Sequence, residues 1–250
     1  MDKENPEARA KRSQVLDMPK QGTAGPGKIS NMAELGRMTV EEMAERRIVH
    51  PGMPQKSVLN TFRELRTQLL KLADNRNVVI MVTSVVANAG TSFVATNLAS
   101  VFALDKTKTA LLIDCNLYDP TLNSLLDVEP DYGLTDYLAE EKLDVNDIIY
   151  ATGIPRLRVV PVGTHTEAGA EYFASNRMRS FIDGLKARYP DRYLVIDAPP
   201  IGVWAEARIL ADLSDYVVLV VPYGKVNEAQ VTAAIDALGE DKLAGILFNN

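Results

Sequence analysis

Residues 78–92 read Val78-Val79-Ile80-Met81-Val82-Thr83-Ser84-Val85-Val86-Ala87-Asn88-Ala89-Gly90-Thr91-Ser92. The first seven form a β-branched run bounded by polar residues, the pattern of a buried strand. A tight loop follows, and residues 92–104 carry the periodicity of a helix. A strand, a tight loop and a helix N-terminus in this order place backbone N–H groups where a phosphate can sit. Gly90 and Ser92 stand where the closing glycine and Ser/Thr of such a loop belong. Thr91 stands where a lysine would reach the β- and γ-phosphates.

Outward from this stretch, short apolar runs recur at 110–114, 157–162, 193–197, 216–221 and 245–248. Helical patterns lie between them at 144–150, 177–189, 205–213 and 227–238. Strands apolar on both faces, alternating with helices, predict an α/β fold with a mostly parallel sheet flanked by helices. Upstream, Val58, Phe62, Leu65, Leu69 and Leu72 are spaced as one apolar helical stripe, with Arg63 and Arg66 beside it. Residues 39–49 read as a short helix opened by a capping box of Thr39 and Glu42. Residues 1–30 are polar, with Pro6, Pro19, Gly22, Gly25, Pro26 and Gly27 scattered among them, and read as disordered. The expected organisation is a tail over 1–55 with one short helix, then a single domain over 56–250.

Of the 250 residues, 46% are hydrophobic and 24% charged, and the net charge is −6. That acidic balance speaks against a nucleic-acid binder built on a basic surface. No apolar run approaches the ~20 residues of a membrane span, and the charged N-terminus has no signal-peptide core. A single cysteine, Cys115, excludes an intrachain disulfide and fits a reducing compartment. With two histidines beside it, the chain lacks the ligands of a structural zinc site.

Two more strands end in aspartate: Leu111-Leu112-Ile113-Asp114 and Leu194-Val195-Ile196-Asp197. In a parallel sheet ligands bind beyond the carboxyl ends of strands. An aspartate there, beside a phosphate loop, holds Mg²⁺ and its waters. The candidate site is therefore Asn88, Ala89, Gly90, Thr91, Ser92 and Phe93 for phosphate, and Ser92, Asp114 and Asp197 for metal. Trp204 reads as a packing residue at a helix start rather than a base-stacking one, and Cys115 as a core residue.

With these loops the chain resembles the cytoplasmic domain of bacterial tyrosine kinases from exopolysaccharide and capsule clusters, P-loop proteins related to the MinD/ParA ATPases. The likeness spans about residues 58–250. It includes Val82-Thr83-Ser84, Thr96-Asn97-Leu98-Ala99, Leu112-Ile113-Asp114 with Pro120, Ala174-Ser175-Asn176-Arg177-Met178, Asp197-Ala198-Pro199-Pro200 and Glu206-Ala207-Arg208-Ile209-Leu210-Ala211. The autokinase branch associated with exosortase and PEP-CTERM loci is the nearest in pattern. The resemblance implies a P-loop fold, ATP and Mg²⁺ as cofactors, and Asp114 as the catalytic carboxylate. It also implies homo-oligomers, and a membrane-anchored chain-length or export protein, or a kinase paralogue, as partner. A cytoplasmic location, with recruitment to the inner membrane by that partner, goes with it.

The chain departs from the family at the chemistry. The family loop reads roughly Pro-Gly-Glu-Gly-Lys-Ser/Thr; here it is Ala87-Asn88-Ala89-Gly90-Thr91-Ser92. Asn88 tolerates φ > 0, so the backbone can persist, but the cation is lost. Removing one preorganised transition-state donor costs about 2.7–4 kcal/mol. The family's Asp-x-Asp is Asp114-Cys115-Asn116, and Asp119 puts negative charge where arginine is usual. The oligomerisation motif Glu-x-x-Arg-x-x-Arg is Asn60, Arg63 and Arg66, and no tyrosine follows Tyr223 to form the family's C-terminal cluster. The expectation is a catalytically impaired protein with weakened ATP and Mg²⁺ binding, acting by interaction. An active autokinase and a MinD/ParA-like positioning ATPase are the alternatives.

Overall fold

The computed structural model describes residues 37–126, 129–164 and 167–250. The tail assigned to residues 1–30 and His165 lie outside them. Among the described residues the helices are α1 (Val40–Glu45), α2 (Lys56–Leu72), α3 (Thr91–Ala103), α4 (Leu134–Ala139), α5 (Gly169–Ala174), α6 (Asn176–Arg188), α7 (Ala205–Leu213) and α8 (Glu228–Leu238). The strands are β1 (Val79–Ser84), β2 (Thr109–Asp114), β3 (Tyr150–Ala151), β4 (Leu157–Val160), β5 (Arg192–Asp197), β6 (Tyr216–Pro222) and β7 (Leu243–Asn249). They form one sheet in the order β3-β4-β2-β5-β1-β6-β7, in which only β3 runs antiparallel. Among the described residues no helix is long and apolar enough to cross a membrane.

Alternation along the central strands divides the core in two. Ile80, Val82, Leu112, Val195 and Val218 face one layer with Leu59, Phe62 and Leu69 of α2 and Leu98 and Phe102 of α3. Met81, Leu111, Ile113, Ile196 and Leu219 face the other, with Phe181 and Leu185 of α6, Leu210 of α7 and Leu238 of α8. Successive side chains of a strand point to opposite faces, so a strand covered on both sides must be apolar throughout. Every residue of β1, β2 and β5 is buried. Phe102 stacks on Tyr193 across the α3–β5 contact, with ring centroids 4.4 Å apart.

Several expectations need correction. The helix expected over 144–150 is a 3₁₀ turn, Val145–Ile148, followed by the short strand β3. Asp144 caps that turn through Asn146 N–H, and two residues later the chain pairs with β4. The stripe on α2 is rotated: Leu59, Phe62 and Leu69 are buried, whereas Val58 and Leu72 are 36% and 48% exposed. Arg66 is not an open contact residue, because its guanidinium donates to the Val101 carbonyl of α3 at 2.7 Å. The strand expected over 157–162 ends at Val160.

The capping box forms as read: Thr39 Oγ1 accepts from Glu42 N–H, and Glu42 accepts from Thr39 N–H. Residues ahead of position 56 enter the domain's core. Ile48 and Val49 are buried, and Val49 N–H donates to Asn97 Oδ1 of α3 at 2.6 Å.

Candidate functional site

The β1–α3 loop turns on two residues in the left-handed region, Asn88 at φ +55° and Gly90 at φ +86°. Asparagine and glycine are the residues that adopt this conformation at least cost. Gly90 is the N-cap of α3 and offers no side-chain cap, so the first N–H groups of a thirteen-residue helix lack a side-chain acceptor there. Asn249, at the end of β7, holds the loop from the other side: its Nδ2 donates to the Ala89 carbonyl at 2.8 Å. A Cβ added at Gly90 would collide with that amide.

All six expected loop residues, Asn88 to Phe93, line one cavity of about 430 Å³ together with Asn116, Tyr118, Asp119 and Trp204. No cation lines it. Thr91 is buried at its wall, and Asp119 faces in with its negative charge.

Asp114 and Asp197 end adjacent strands in direct register, and both are fully buried. Asp114 accepts backbone hydrogen bonds from Asn116 at 3.0 Å and Leu122 at 3.3 Å. Burial nevertheless pushes its carboxyl well above the usual range, helped by the charge of Asp197. Neither carboxylate oxygen of Asp197 has a hydrogen-bond partner. Burial pushes Asp197 up to about 7; the nearby Ser92 hydroxyl pulls it back without reaching hydrogen-bond geometry, and Asp119 pushes it further up. Two adjacent buried carboxylates, one of them unpaired, are costly unless something positive joins them. Cys115, between Asp114 and Asn116, is fully buried. Burial first, then the two aspartates, raise its thiol well above the ordinary value.

Trp204 sits at the N-cap of α7, as a packing residue should, but its partner was not legible in the sequence. Its ring stacks on Tyr118 with centroids 3.5 Å apart and planes 11° from parallel. Tyr118 O–H donates to Glu206 Oε1 at 2.7 Å, and its hydroxyl is pushed up to about 12 by burial and by Glu206. Glu206 is buried while Arg208 is exposed, as expected of residues two apart on a helix.

A second cavity, of about 600 Å³, lies on the far side of the same loop. It shares Gly90, Ser92, Phe93 and Thr121 with the first and adds Arg46, Arg47 and Asn249. Sequence reasoning missed Asn249, because a polar residue closing an apolar strand carries no local sign of a partner 160 positions away. It missed Arg46 and Arg47 because they belong to the segment assigned to the tail.

The chain is 31% identical over 208 residues to tyrosine-protein kinase YwqD of Bacillus subtilis (strain 168), covering 82% of this chain and 86% of that protein. This chain belongs to the bacterial tyrosine-protein kinase family. A second relative, tyrosine-protein kinase CpsD of Streptococcus agalactiae, is 31% identical over 191 residues, covering 75% of this kinase-family chain and 81% of that protein. Among solved structures, the kinase domain of Escherichia coli tyrosine kinase ETK superposes with a TM-score of 0.72 at 22% identity, over 92% of this chain and 95% of that one. The cell division ATPase MinD of Pyrococcus furiosus superposes with a TM-score of 0.57 at 24% identity, over 69% of this chain and 70% of that one. The last two show the fold, a MinD-type P-loop sheet. No family model matches the chain.

Proposed function

We propose that this family member is a kinase-like P-loop protein of an exopolysaccharide or capsule system whose phosphoryl transfer is impaired and whose role is carried by interaction. A membrane-anchored chain-length or export protein, or an active kinase paralogue, is the partner class. The observation that carries the reading is the 430 Å³ cavity at the loop, which has Thr91 at the lysine position, Asp119 in its lining and, among the described residues, no cation. Phosphoryl transfer is catalysed almost entirely by positioning and by stabilising charge on the transferring group. A cavity with a carboxylate and no cation does the reverse.

The metal side is better kept. The unpartnered Asp197 carboxylate beside Ser92 fits a hydrated divalent cation, and Ser92, Asp114 and Asp197 would hold Mg²⁺ and its waters. Among the described residues no three or more His, Cys, Asp or Glu side chains are grouped to hold a metal ion, so the metal would depend on a phosphate for its remaining ligands. When bound, Mg²⁺ neutralises charge on phosphate oxygens. The residues' own part is to orient it: Asp114 is fixed by two backbone N–H groups, and Ser92 sits in the first turn of α3.

The test is transfer of labelled γ-phosphate to a tyrosine-containing polymer. The native chain should be slower than the Ala87→Pro, Asn88→Gly, Thr91→Lys variant by about 10²–10³, the loss expected for one missing charge-stabilising donor. Equal rates would overturn the reading and favour the active autokinase.

A further inference from the structure

Among the described residues, Arg46 and Arg47 are the only cationic residues that line either cavity around the loop. They follow α1, on a segment tied down independently of any ligand. Asn97 of α3 is fully buried. Its Oδ1 accepts from Val49 N–H at 2.6 Å and its Nδ2 donates to the Arg47 carbonyl at 3.1 Å. Ile48 N–H closes the turn onto the Met43 carbonyl at 2.7 Å. Arg47 itself sits at φ +54°. This backbone is held by α3, the helix whose first turn borders the candidate phosphate site. Both residues are exposed and line the 600 Å³ cavity that Gly90, Ser92 and Phe93 also line. That volume lies within the ~300–1,000 Å³ range of small-molecule sites.

We propose that the Arg46–Arg47 turn supplies the cationic side chains for a phosphate group of a nucleoside di- or triphosphate seated between it and the Gly90–Ser92 loop. The proposal rests on the reading above only in that Thr91 leaves the loop without its own cation. Three observations converge. Arg46 and Arg47 line one cavity together with Gly90, the N-cap of α3, which provides no side-chain cap. The buried, unpartnered Asp197 carboxylate beside Ser92 calls for a cation, and a metal-bound polyphosphate would bring one. The loop is pre-shaped, with Asn88 and Gly90 already left-handed and Asn249 bracing Ala89. The arginines approach the loop from the second cavity, away from Asp119 and Asn116 of the first. Their charge therefore serves ligand retention and not the transfer step, so the nucleotide becomes a structural ligand. Arginine suits the task because its planar fork binds phosphate oxygens in pairs and stays charged at all working pH.

The experiment is calorimetric titration of the full chain with ADP, with pyrophosphate and with adenosine, in the presence of Mg²⁺. The native chain should bind ADP and pyrophosphate. The Arg46→Gln/Arg47→Gln variant should weaken both by about tenfold or more, the usual worth of a charge-assisted hydrogen bond. Adenosine binding should not change. Arg47→Lys should recover part of the loss, and Arg179→Gln, an exposed arginine on α6, should lose nothing. Because both arginines are exposed, where a side-chain interaction contributes little, ligand-free thermal unfolding of the variants should stay close to that of the native chain. Arg46→Gln alone serves where the double variant unfolds early. Binding of neither anion by the native chain, or unchanged affinity in the double variant, overturns the proposal. Neither result touches the impaired-transfer reading, which stands or falls on the polymer assay.

Discussion

Replacing Asp197 by asparagine should stabilise the ligand-free protein at alkaline pH and leave it nearly unchanged at about pH 4. Asp197 is fully buried, and its carboxyl is raised from the ordinary 3.8 to about 7 by that burial, against the pull of Ser92 and with the push of Asp119. A raised carboxyl means that the native state holds a proton which the unfolded chain has released. Between the two values the unfolded state therefore binds fewer protons, and stability falls as pH rises. The contribution is fully present below the ordinary carboxylate value and is lost by the time pH passes about 7. At 1.36 kcal/mol for each tenfold change in proton affinity, the full swing is roughly 4 kcal/mol. Asparagine has nearly the same shape, never ionises and can donate to Asp114, so the variant should lose most of this slope. Urea denaturation in metal-free buffer, at half-unit steps from about pH 4.5 to 8.5, reads the difference. The two stability curves should converge on the acid side, separate between about pH 4.5 and 7, and stay apart at a constant gap above that. Parallel curves would refute the argument, because they would mean that the Asp197 carboxylate is solvated or already paired. Asp114→Asn should move the curve in the same direction, since Asp114 is raised by burial and by its neighbour.

Other expectations concern the loop and the aromatic pair. Gly90→Ala forces a Cβ into Asn249 at φ +86° and should cost about 2–3 kcal/mol, as the sum of left-handed strain and a broken hydrogen bond. Asn249→Ala alone should cost about 1 kcal/mol, and the two together should cost less than their sum in urea denaturation. Asn88→Gly should be neutral or slightly stabilising, while Asn88→Ala should cost about 1 kcal/mol at its φ of +55°. Tyr118→Ala should cost about 0.5–1.5 kcal/mol beyond the area lost; since Trp204 is the only tryptophan, its emission should shift when the stack is removed, and an unchanged spectrum would place the stack elsewhere.

The sheet was legible because its information is local. Six apolar runs became six strands with ends displaced by two residues at most, and α7 occupies its expected span. What escaped notice was short or non-local. α4 and α5 have six residues each, too few for a helical period to show. The α2 stripe was misphased because Val58 and Leu59 are both apolar, and only the packing partner α3 decides which of them turns inward. That loop residues 88–93 share one cavity and that the two strand-end aspartates are neighbours could be expected from the strand, loop and helix order. The other pieces around the loop could not, because Asn249, Arg46 and the Tyr118–Trp204 pair reach it through tertiary contacts.

The bond between Asn249 and Ala89 also sets an order of events. A chain leaves the ribosome N-terminus first, so the loop at residues 87–91 is made long before the strand that braces it. Until β7 pairs with β6, Ala89 lacks its brace and the second cavity lacks the wall that Asn249 provides. A strand made about 160 residues after the loop therefore completes the cavity beside that loop, and a nascent chain has the loop before it has the wall.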